Sequence, residues 1–320
     1  MPALTTEPPQ RRREAGPRAR AAATSAGRLR VTHAERVIDA ASGATKGRLI
    51  DYYLRVAELM LPHLRERPVA LLRAPEGVDA PVFFQKHAGR RQMRGLTVHA
   101  AALDPGRAPL LGIDTVEALA NGAQMNVIEI HTWNATARAI ERPDRMVFDL
   151  DPGEGVGWSE MVEAAQRVHG LLDELGLICF LKSSGGKGLH VVVPLAPRHD
   201  WPTVKDFSHA VVDHLAAGAA DRFVAKSGPK NRVGRIFVDY LRNGRGATTV
   251  AAFSARARPG LDISLPLAWD ELPALQTSRI ASIETPTRRL EQAASAWGDY
   301  FGTRQTLGRA MKALGFKPRS

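Results

Sequence analysis

Apolar residues recur at helical spacing along several segments of the chain. Between Leu49 and Met60 they form one stripe, and Pro62 is expected to end or kink this helix. A second stripe runs from Met161 to Leu175 and meets Gly176, a residue type that commonly ends helices. Two further stretches are predicted to be helical, wholly or for the most part: residues 201–217 and 288–314.

Short runs of β-branched and aromatic residues predict strands between these helices. They cover residues 69–72, 82–86, 127–131, 146–151, 178–181, 189–193, 235–240 and 248–253. Asn243-Gly244-Arg245-Gly246 separates the last two runs and predicts a hairpin turn. Because strands and helices alternate irregularly, a mixed α/β or α+β domain fits better than a doubly wound sheet.

The net charge of the 320-residue chain is +11, which suggests a polyanionic partner, either nucleic acid or an anionic membrane. No apolar stretch approaches the ~20 residues of a membrane span, so nucleic acid is favoured over a membrane, and a charge that serves only solubility is the simpler alternative. Cys179 is the single cysteine, which excludes an internal disulfide and fits a reducing cytosol. Residues 1–29 are rich in Arg, Pro and Ala and are predicted to form a disordered basic arm. One globular domain is predicted for residues 30–320.

Three acidic residues in two predicted strands carry the sharpest chemical signal. Asp149 and Asp151 are two apart, so they share one face of a strand whose other face is apolar. A bound divalent cation would remove the repulsion between them, although a solvent-facing acidic strand end is the simpler alternative. Asp239 closes another apolar run and is the natural third ligand of a two-metal site.

A glycine-rich segment, residues 182–190, separates these strands. Its small residues allow backbone N–H groups to approach an anion, and Ser184, Lys187 and His190 add donors. The segment is not a Walker A loop, because Gly188 follows Lys187 where Ser or Thr is required. His131 is a further candidate phosphate donor. Arginines that could clamp a triphosphate follow Asp239, namely Arg242, Arg245, Arg256 and Arg258.

Residues 83–87 interleave aromatic and basic side chains, which is how platforms for stacked bases are built. Phe83 and Phe84 are adjacent in a predicted strand and therefore point to opposite sides. We expect one of them to pack in the core and the other to contact a base, while core packing of both is the alternative.

As a set, these motifs resemble the polymerase domain of the bacterial multifunctional end-joining ligase, ligase D, within the archaeo-eukaryotic primase superfamily. The resemblance runs from about Arg30 to Pro318. The matching segments are residues 32–37, 45–46, 61–64, 67–68, 83–87, 149–152, 183–190, 238–240 and 311–318. The resemblance implies an α+β, primase-type core in which RRM-like mixed β-sheets are flanked by helices.

By the same resemblance, the chain extends DNA ends at double-strand breaks, preferring ribonucleotides and using two Mn²⁺ or Mg²⁺ ions. Asp149, Asp151 and Asp239 would be the metal ligands. The residues expected at the nucleotide and template are His131, Ser184, Lys187, His190, Arg242, Arg256, Phe83 and Phe84. Those expected at the 5′-phosphate of the downstream strand are His33, Arg36 and Lys46.

The implied partners are DNA ends with a 5′-phosphate, nucleoside triphosphates, a Ku-type end-binding protein and a separate DNA ligase, in the bacterial cytoplasm at the nucleoid. No adenylation motif of a ligase is visible in the chain. Two other functions stay open on the residues alone. The first is a manganese-dependent nucleotide-sugar transferase, in which Asp-x-Asp also holds a metal. The second is a DNA-end-binding module without catalysis.

Overall fold

The computed structural model describes residues 31–89 and 93–318. The basic arm predicted for residues 1–29 lies outside them. The α-helices of the described residues are α1 (Lys46–Leu64), α2 (Val116–Gln124), α3 (Trp158–Glu174), α4 (Trp201–Gly218), α5 (Thr287–Ala296) and α6 (Gly308–Ala313). The strands are β1 (Val37–Asp39), β2 (Ala44–Thr45), β3 (Val69–Arg73), β4 (Phe83–Gln85), β5 (Thr97–Val98), β6 (Leu111–Gly112), β7 (Val127–Trp133), β8 (Arg145–Pro152), β9 (Phe180–Ser183), β10 (Leu189–Pro194), β11 (Phe223–Val224), β12 (Ile236–Asp239), β13 (Thr248–Val250) and β14 (Pro266–Leu267).

The helix stripes in the sequence correspond to real helices. Helix α1 begins after Thr45, whose hydroxyl accepts a hydrogen bond from Arg48 N–H. It runs two residues past Pro62 to Leu64, and the N–H of Arg65 donates to Leu61 O, which completes the last turn. Helix α3 is followed by Gly176 with φ at +70°, as the sequence predicts.

Two six-stranded sheets dominate the fold. In sheet I the strand order is β11-β12-β8-β10-β9-β14, with only the β11–β12 pair parallel. In sheet II the order is β13-β7-β3-β6-β5, and β4 also pairs with β3. Strands β1 and β2 form a separate pair. The mixed pairing of sheet I is that of an α+β domain.

The two faces of β8 have different surroundings. Phe148 and Leu150 point into the main core, where they are fully buried together with Val168 of α3 and Phe207 of α4. The residues between them, Asp149 and Asp151, therefore lie on the opposite face, because side chains alternate along a strand. The core thus fixes which way both carboxylates point.

The hairpin predicted at Asn243–Gly246 is wrong. Strand β12 pairs with β8 in sheet I, whereas β13 pairs with β7 in sheet II. The chain leaves sheet I through a 3₁₀ turn at Leu241–Asn243. The fully buried amide of Asn243 accepts from Val147 N–H and donates to Val147 O, each at 2.8 Å. Because this side chain satisfies the backbone of β8, the chain can cross to the other sheet.

Candidate metal and nucleotide site

Adjacent antiparallel strands bring three carboxylates together. Asp239 of β12 lies directly opposite Asp149 of β8, and Asp151 shares the face of Asp149. Each of the three offers an oxygen within 4.8 Å of those of the other two. Asp149 and Asp239 are buried and Asp151 is partly buried. The sequence prediction that these residues lie together agrees with this geometry.

The carboxylates belong to a polar row that crosses sheet I. In the strand register, Asp239 is opposite Asp149, Asp149 is opposite His190, and His190 is opposite Lys182. His190 Nε2 lies 3.2 Å from Asp149 Oδ1. The ammonium of Lys182 is buried and donates to Ser264 Oγ at 2.7 Å. Acidic side chains therefore lie at one end of the row and nitrogen-bearing side chains at the other, and burial lowers the pKa of Lys182 well below its usual range.

Burial and mutual repulsion make the acidic cluster costly without a cation. Burial, with the charge of Asp149, raises the pKa of Asp151 to about 6. Burial raises the pKa of Asp239 as well, and Asp149 adds to this effect. Burial acts in the same direction on Asp149, but His190 and Arg242 outweigh it and hold the pKa of Asp149 below its usual range. An all-oxygen donor set of this kind fits a hard divalent ion such as Mg²⁺ or Mn²⁺.

Two arginines lie against the three carboxylates. Arg242 Nε is 3.2 Å from Asp149 Oδ2 and 3.1 Å from Asp239 Oδ2. Arg232 Nη1 is 3.2 Å from Asp151 Oδ2. Sequence reasoning assigned Arg242 to the triphosphate and did not single out Arg232. The guanidinium group of Arg242 lies between two of the carboxylates, where it offsets their negative charge. A metal ion would offset the same charge, so the site fits a cation.

The glycine-rich segment forms a tight loop beside the carboxylates. Ser184 Oγ accepts hydrogen bonds from the N–H groups of Gly186 and Gly188, at 3.2 and 3.1 Å. Gly185 has φ at +65°, and a Cβ on Gly188 would lie 2.4 Å from Leu150 O. The glycines thus let the loop pack directly against β8. Lys187 is exposed in this loop and His190 is buried in β10.

Glu129 joins several predicted nucleotide residues, although sequence reasoning did not single it out. Its carboxylate lies 2.7 Å from His131 Nε2 and 3.1 Å from Arg256 Nε, and it accepts from Ala257 N–H at 2.9 Å. Arg256 also donates to Ser184 O. Burial opposes ionisation, but the His131 hydrogen bond and the Arg256 charge lower the pKa of Glu129 to about 2. An acid two residues before His131, on the same strand face, was the available signal.

Both phenylalanines of β4 are about half exposed, so the expectation that at least one packs in the core is wrong. Phe84 shares a face with Glu129, since both are register partners of Leu72, and its ring centroid is 5.3 Å from that of His131. Phe83 points the other way, with the Arg73 guanidinium 5.3 Å from its ring centroid. Phe84 is therefore the phenylalanine that faces the nucleotide residues.

The residues predicted for a 5′-phosphate lie around the start of α1. Lys46 Nζ donates to Thr32 O at 2.6 Å, and Arg36 donates to the side chain of Asn126, just after α2. Burial, together with the nearby charge of Arg36, lowers the pKa of Lys46. His33 is exposed, with φ at +53°. The structure brings Arg36 and Lys46 together, and their assignment to a phosphate stays a prediction.

Three carboxylates on neighbouring strands of a mixed sheet, next to a glycine-rich loop, define a nucleotidyltransferase of the primase type. A family model described as the LigD primase-polymerase domain matches residues 45–297. The chain belongs to this family, which confirms the resemblance and the fold class predicted from the sequence.

Named relatives agree with this assignment. The chain is 51% identical over 286 residues to the multifunctional non-homologous end joining protein LigD of Pseudomonas aeruginosa, covering 89% of this chain and 34% of that protein. It is 34% identical over 259 residues to the LigD of Mycobacterium tuberculosis, covering 78% and 34%. The chain thus spans about a third of the length of these relatives.

A solved structure, the polymerase domain of Mycobacterium tuberculosis ligase D in complex with DNA, superposes with a TM-score of 0.79 at 30% identity. The match covers 87% of this chain and 99% of that one. Among the described residues, none of the helices combines the length and apolar composition needed to cross a membrane.

Proposed function

We propose that this chain extends DNA ends during non-homologous end joining. It fills gaps and adds nucleotides, preferentially ribonucleotides, at double-strand breaks. The observation that carries the proposal is the convergence of Asp149, Asp151 and Asp239, with oxygens within 4.8 Å of one another, beside the loop that contains Ser184. The names of the relatives, which are end-joining proteins, supply the repair context.

The three aspartates would hold two divalent ions, Mn²⁺ or Mg²⁺, which supply Lewis-acid activation of a primer hydroxyl and neutralise phosphate charge. The chain's own residues position the substrates. Ser184 and Lys187 of the loop, with His190, would contact the triphosphate. His131 and Arg256, which both contact Glu129, would approach the triphosphate from that side, and Arg242 would leave the carboxylates to join them.

In the proposed reaction, the primer 3′-oxygen attacks the α-phosphorus of the nucleotide. A bond forms between that oxygen and phosphorus, the bond to the bridging oxygen breaks, and pyrophosphate leaves while the hydroxyl proton goes to solvent. Phe84 would stack on the templating base, with Phe83 on the other side of β4. His33, Arg36 and Lys46 would bind the 5′-phosphate of the downstream strand. A Ku-type protein and a separate ligase, in the bacterial cytoplasm at the nucleoid, complete the proposed pathway.

Primer extension on a gapped duplex with a 5′-phosphate tests the proposal, comparing ribo- with deoxynucleotides and Mn²⁺ with Mg²⁺. Asp149→Ala and Asp239→Ala should abolish extension while DNA binding persists. Asp221→Ala is the matched control, since this acid is exposed and belongs to none of the proposed sites. Extension by either triad variant would contradict the proposal. Transfer of sugar without incorporation of nucleotides by the wild type would favour the nucleotide-sugar transferase. DNA binding by the wild type without incorporation of nucleotides would favour the end-binding module.

The 5′-phosphate site needs its own comparison. Lys46→Ala should weaken binding to gaps with a 5′-phosphate more than to gaps with a 5′-hydroxyl, because only the former offers the extra charge. Equal affinity of the wild type for both gaps would remove this role from Lys46 without affecting the assignment of the triad.

A further inference from the structure

A second polar pocket lies beyond the nucleotide residues, on the Trp133 end of β7. Its volume is about 250 Å³. Basic side chains dominate its lining, which includes Lys86, His87, Asp104, Arg107, Trp133 and Arg245. None of these residues takes part in the site described above.

One buried carboxylate organises the positive charge in this pocket. Asp104 Oδ2 lies 2.9 Å from His87 Nε2 and 3.8 Å from Arg107 Nη1, and its Oδ1 lies 3.6 Å from Arg245 Nη1. The guanidinium of Arg245 also lies over the Trp133 ring, 5.5 Å from its centroid, and pairs with Glu141. Lys86 is exposed, and among the described residues no carboxylate lies within ion-pair distance of its ammonium. Asp104 and Glu141 together offset two of the three charges of Lys86, Arg107 and Arg245, so the pocket keeps a net positive charge.

Side-chain alternation along β4 and β7 places this pocket on the same side of sheet II as Phe84. Lys86 is two residues beyond Phe84, and Trp133 is two residues beyond His131 on the same face of β7. Two residues of extended chain span about 7 Å. The Phe84 and His131 rings are in contact. The pocket therefore lies two residues further along both strands than this pair of rings. A nucleic-acid strand whose base stacks on Phe84 can therefore run its backbone past this pocket.

We propose that this pocket binds one backbone phosphate of the nucleic-acid strand whose base stacks on Phe84. Lys86 and Arg107 supply the direct contacts, while Asp104 fixes His87, Arg107 and Arg245 around the anion. A metal ion does not fit, because one carboxylate faces several cations, and the polar lining does not suit an apolar ligand. The inference rests on the proposed function and adds a fixed point for the template strand.

Neutral-linkage scanning of the template strand tests the proposal. A series of template–primer duplexes carries a single methylphosphonate at successive template positions around the templating base. Affinity is measured by fluorescence anisotropy for the wild type, Lys86→Gln, Arg107→Gln and the control Arg167→Gln. Arg167 is an exposed arginine of α3, the helix that covers the opposite face of sheet I. Lys86 and Arg107 are exposed, so both variants should keep the fold.

One linkage next to the templating base should weaken wild-type binding by roughly three- to fivefold, as expected for a partly exposed ion pair. At that linkage, Lys86→Gln and Arg107→Gln should lose the sensitivity, and each should lower the salt slope by about one. Arg167→Gln should behave as the wild type does. The proposal is overturned if both pocket variants keep the full wild-type pattern, or if they weaken binding equally at every linkage. Extension by the wild type on the unmodified duplex, measured in parallel, separates this outcome from failure of the proposed function.

Discussion

Asn243 offers a direct test of how the site is held in place. Its amide makes two 2.8 Å hydrogen bonds to Val147, the residue two positions before Asp149 in β8, and also accepts from Asn134 Nδ2 at 3.3 Å. Asn243 and Val147 are both buried. Asn243→Ala would leave the N–H and the C=O of Val147 without partners at a place that water does not reach.

The size of the effect follows from these two groups. An unpaired buried polar group costs about 1–3 kcal/mol, so two of them should lower the free energy of unfolding by about 2–6 kcal/mol. That is a large share of the roughly 5–15 kcal/mol of an ordinary domain. Because Val147 and Asp149 belong to one strand, loosening this point should also displace the carboxylate and reduce primer extension.

Urea unfolding followed by tryptophan fluorescence, with chelator present, measures this change. Asn231→Ala is the matched control, since it removes the same amide from an exposed turn where Asn231 donates to Ser227 O. The control should change stability by no more than about 1 kcal/mol. Asn243→Ala could instead lower the free energy of unfolding no more than the control does. The amide would then not replace the strand pairing of β8, and our explanation of how the chain crosses from sheet I to sheet II would fail.

Three further perturbations test the electrostatics. Glu129→Gln should raise KM for the nucleotide about tenfold or more and change kcat less, because His131 and Arg256 lose a charged partner. Steady-state kinetics measure this effect, and an unchanged KM would contradict the prediction. Burial lowers the pKa of His63 to about 3, so its neutral form stabilises the fold fully above pH 6.5 and this contribution is lost as pH falls toward 3. Between pH 7.5 and pH 5, His63→Phe should lose about 2 kcal/mol less of its unfolding free energy than the wild type does, and an equal loss in the variant would refute the assignment. Mn²⁺ at a hundred times its Kd should stabilise the wild type by about 2.7 kcal/mol in thermal unfolding but stabilise Asp149→Asn much less, and equal shifts would place the ion elsewhere.

Strand alternation made much of the metal site predictable. Two acids at i and i+2 of a strand share a face, and the buried Phe148 and Leu150 on the other side fix which face Asp149 and Asp151 take. The position of Asp239 depended only on a second strand running beside the first. Residue type and spacing therefore identified the three acids, whereas the pairing of β12 with β8 that joins them is a property of the fold.

Other features depend on tertiary contacts that spacing does not encode. Asn-Gly favours hairpins, so the sequence predicted that Asn243 forms a turn. In the structure its amide instead bonds to the backbone of β8 at the point where the pairing of β8 with β12 ends. Arg242 looked like a phosphate ligand, and only the folded chain shows it against Asp149 and Asp239. Phe83 and Phe84 both looked capable of core packing, but β4 pairs with β3 alone among the described strands and leaves both rings half exposed.

The arginines beside the three aspartates affect whether the chain can fold before it binds a metal ion. Many small metalloproteins stay unfolded until their ion arrives, because nothing else offsets the charge of their ligands. Here Arg242 and Arg232 are internal counter-ions for Asp149, Asp239 and Asp151. Newly synthesised chains can therefore fold before they acquire an ion, and a chelator should act as a reversible switch on activity that leaves far-ultraviolet circular dichroism unchanged.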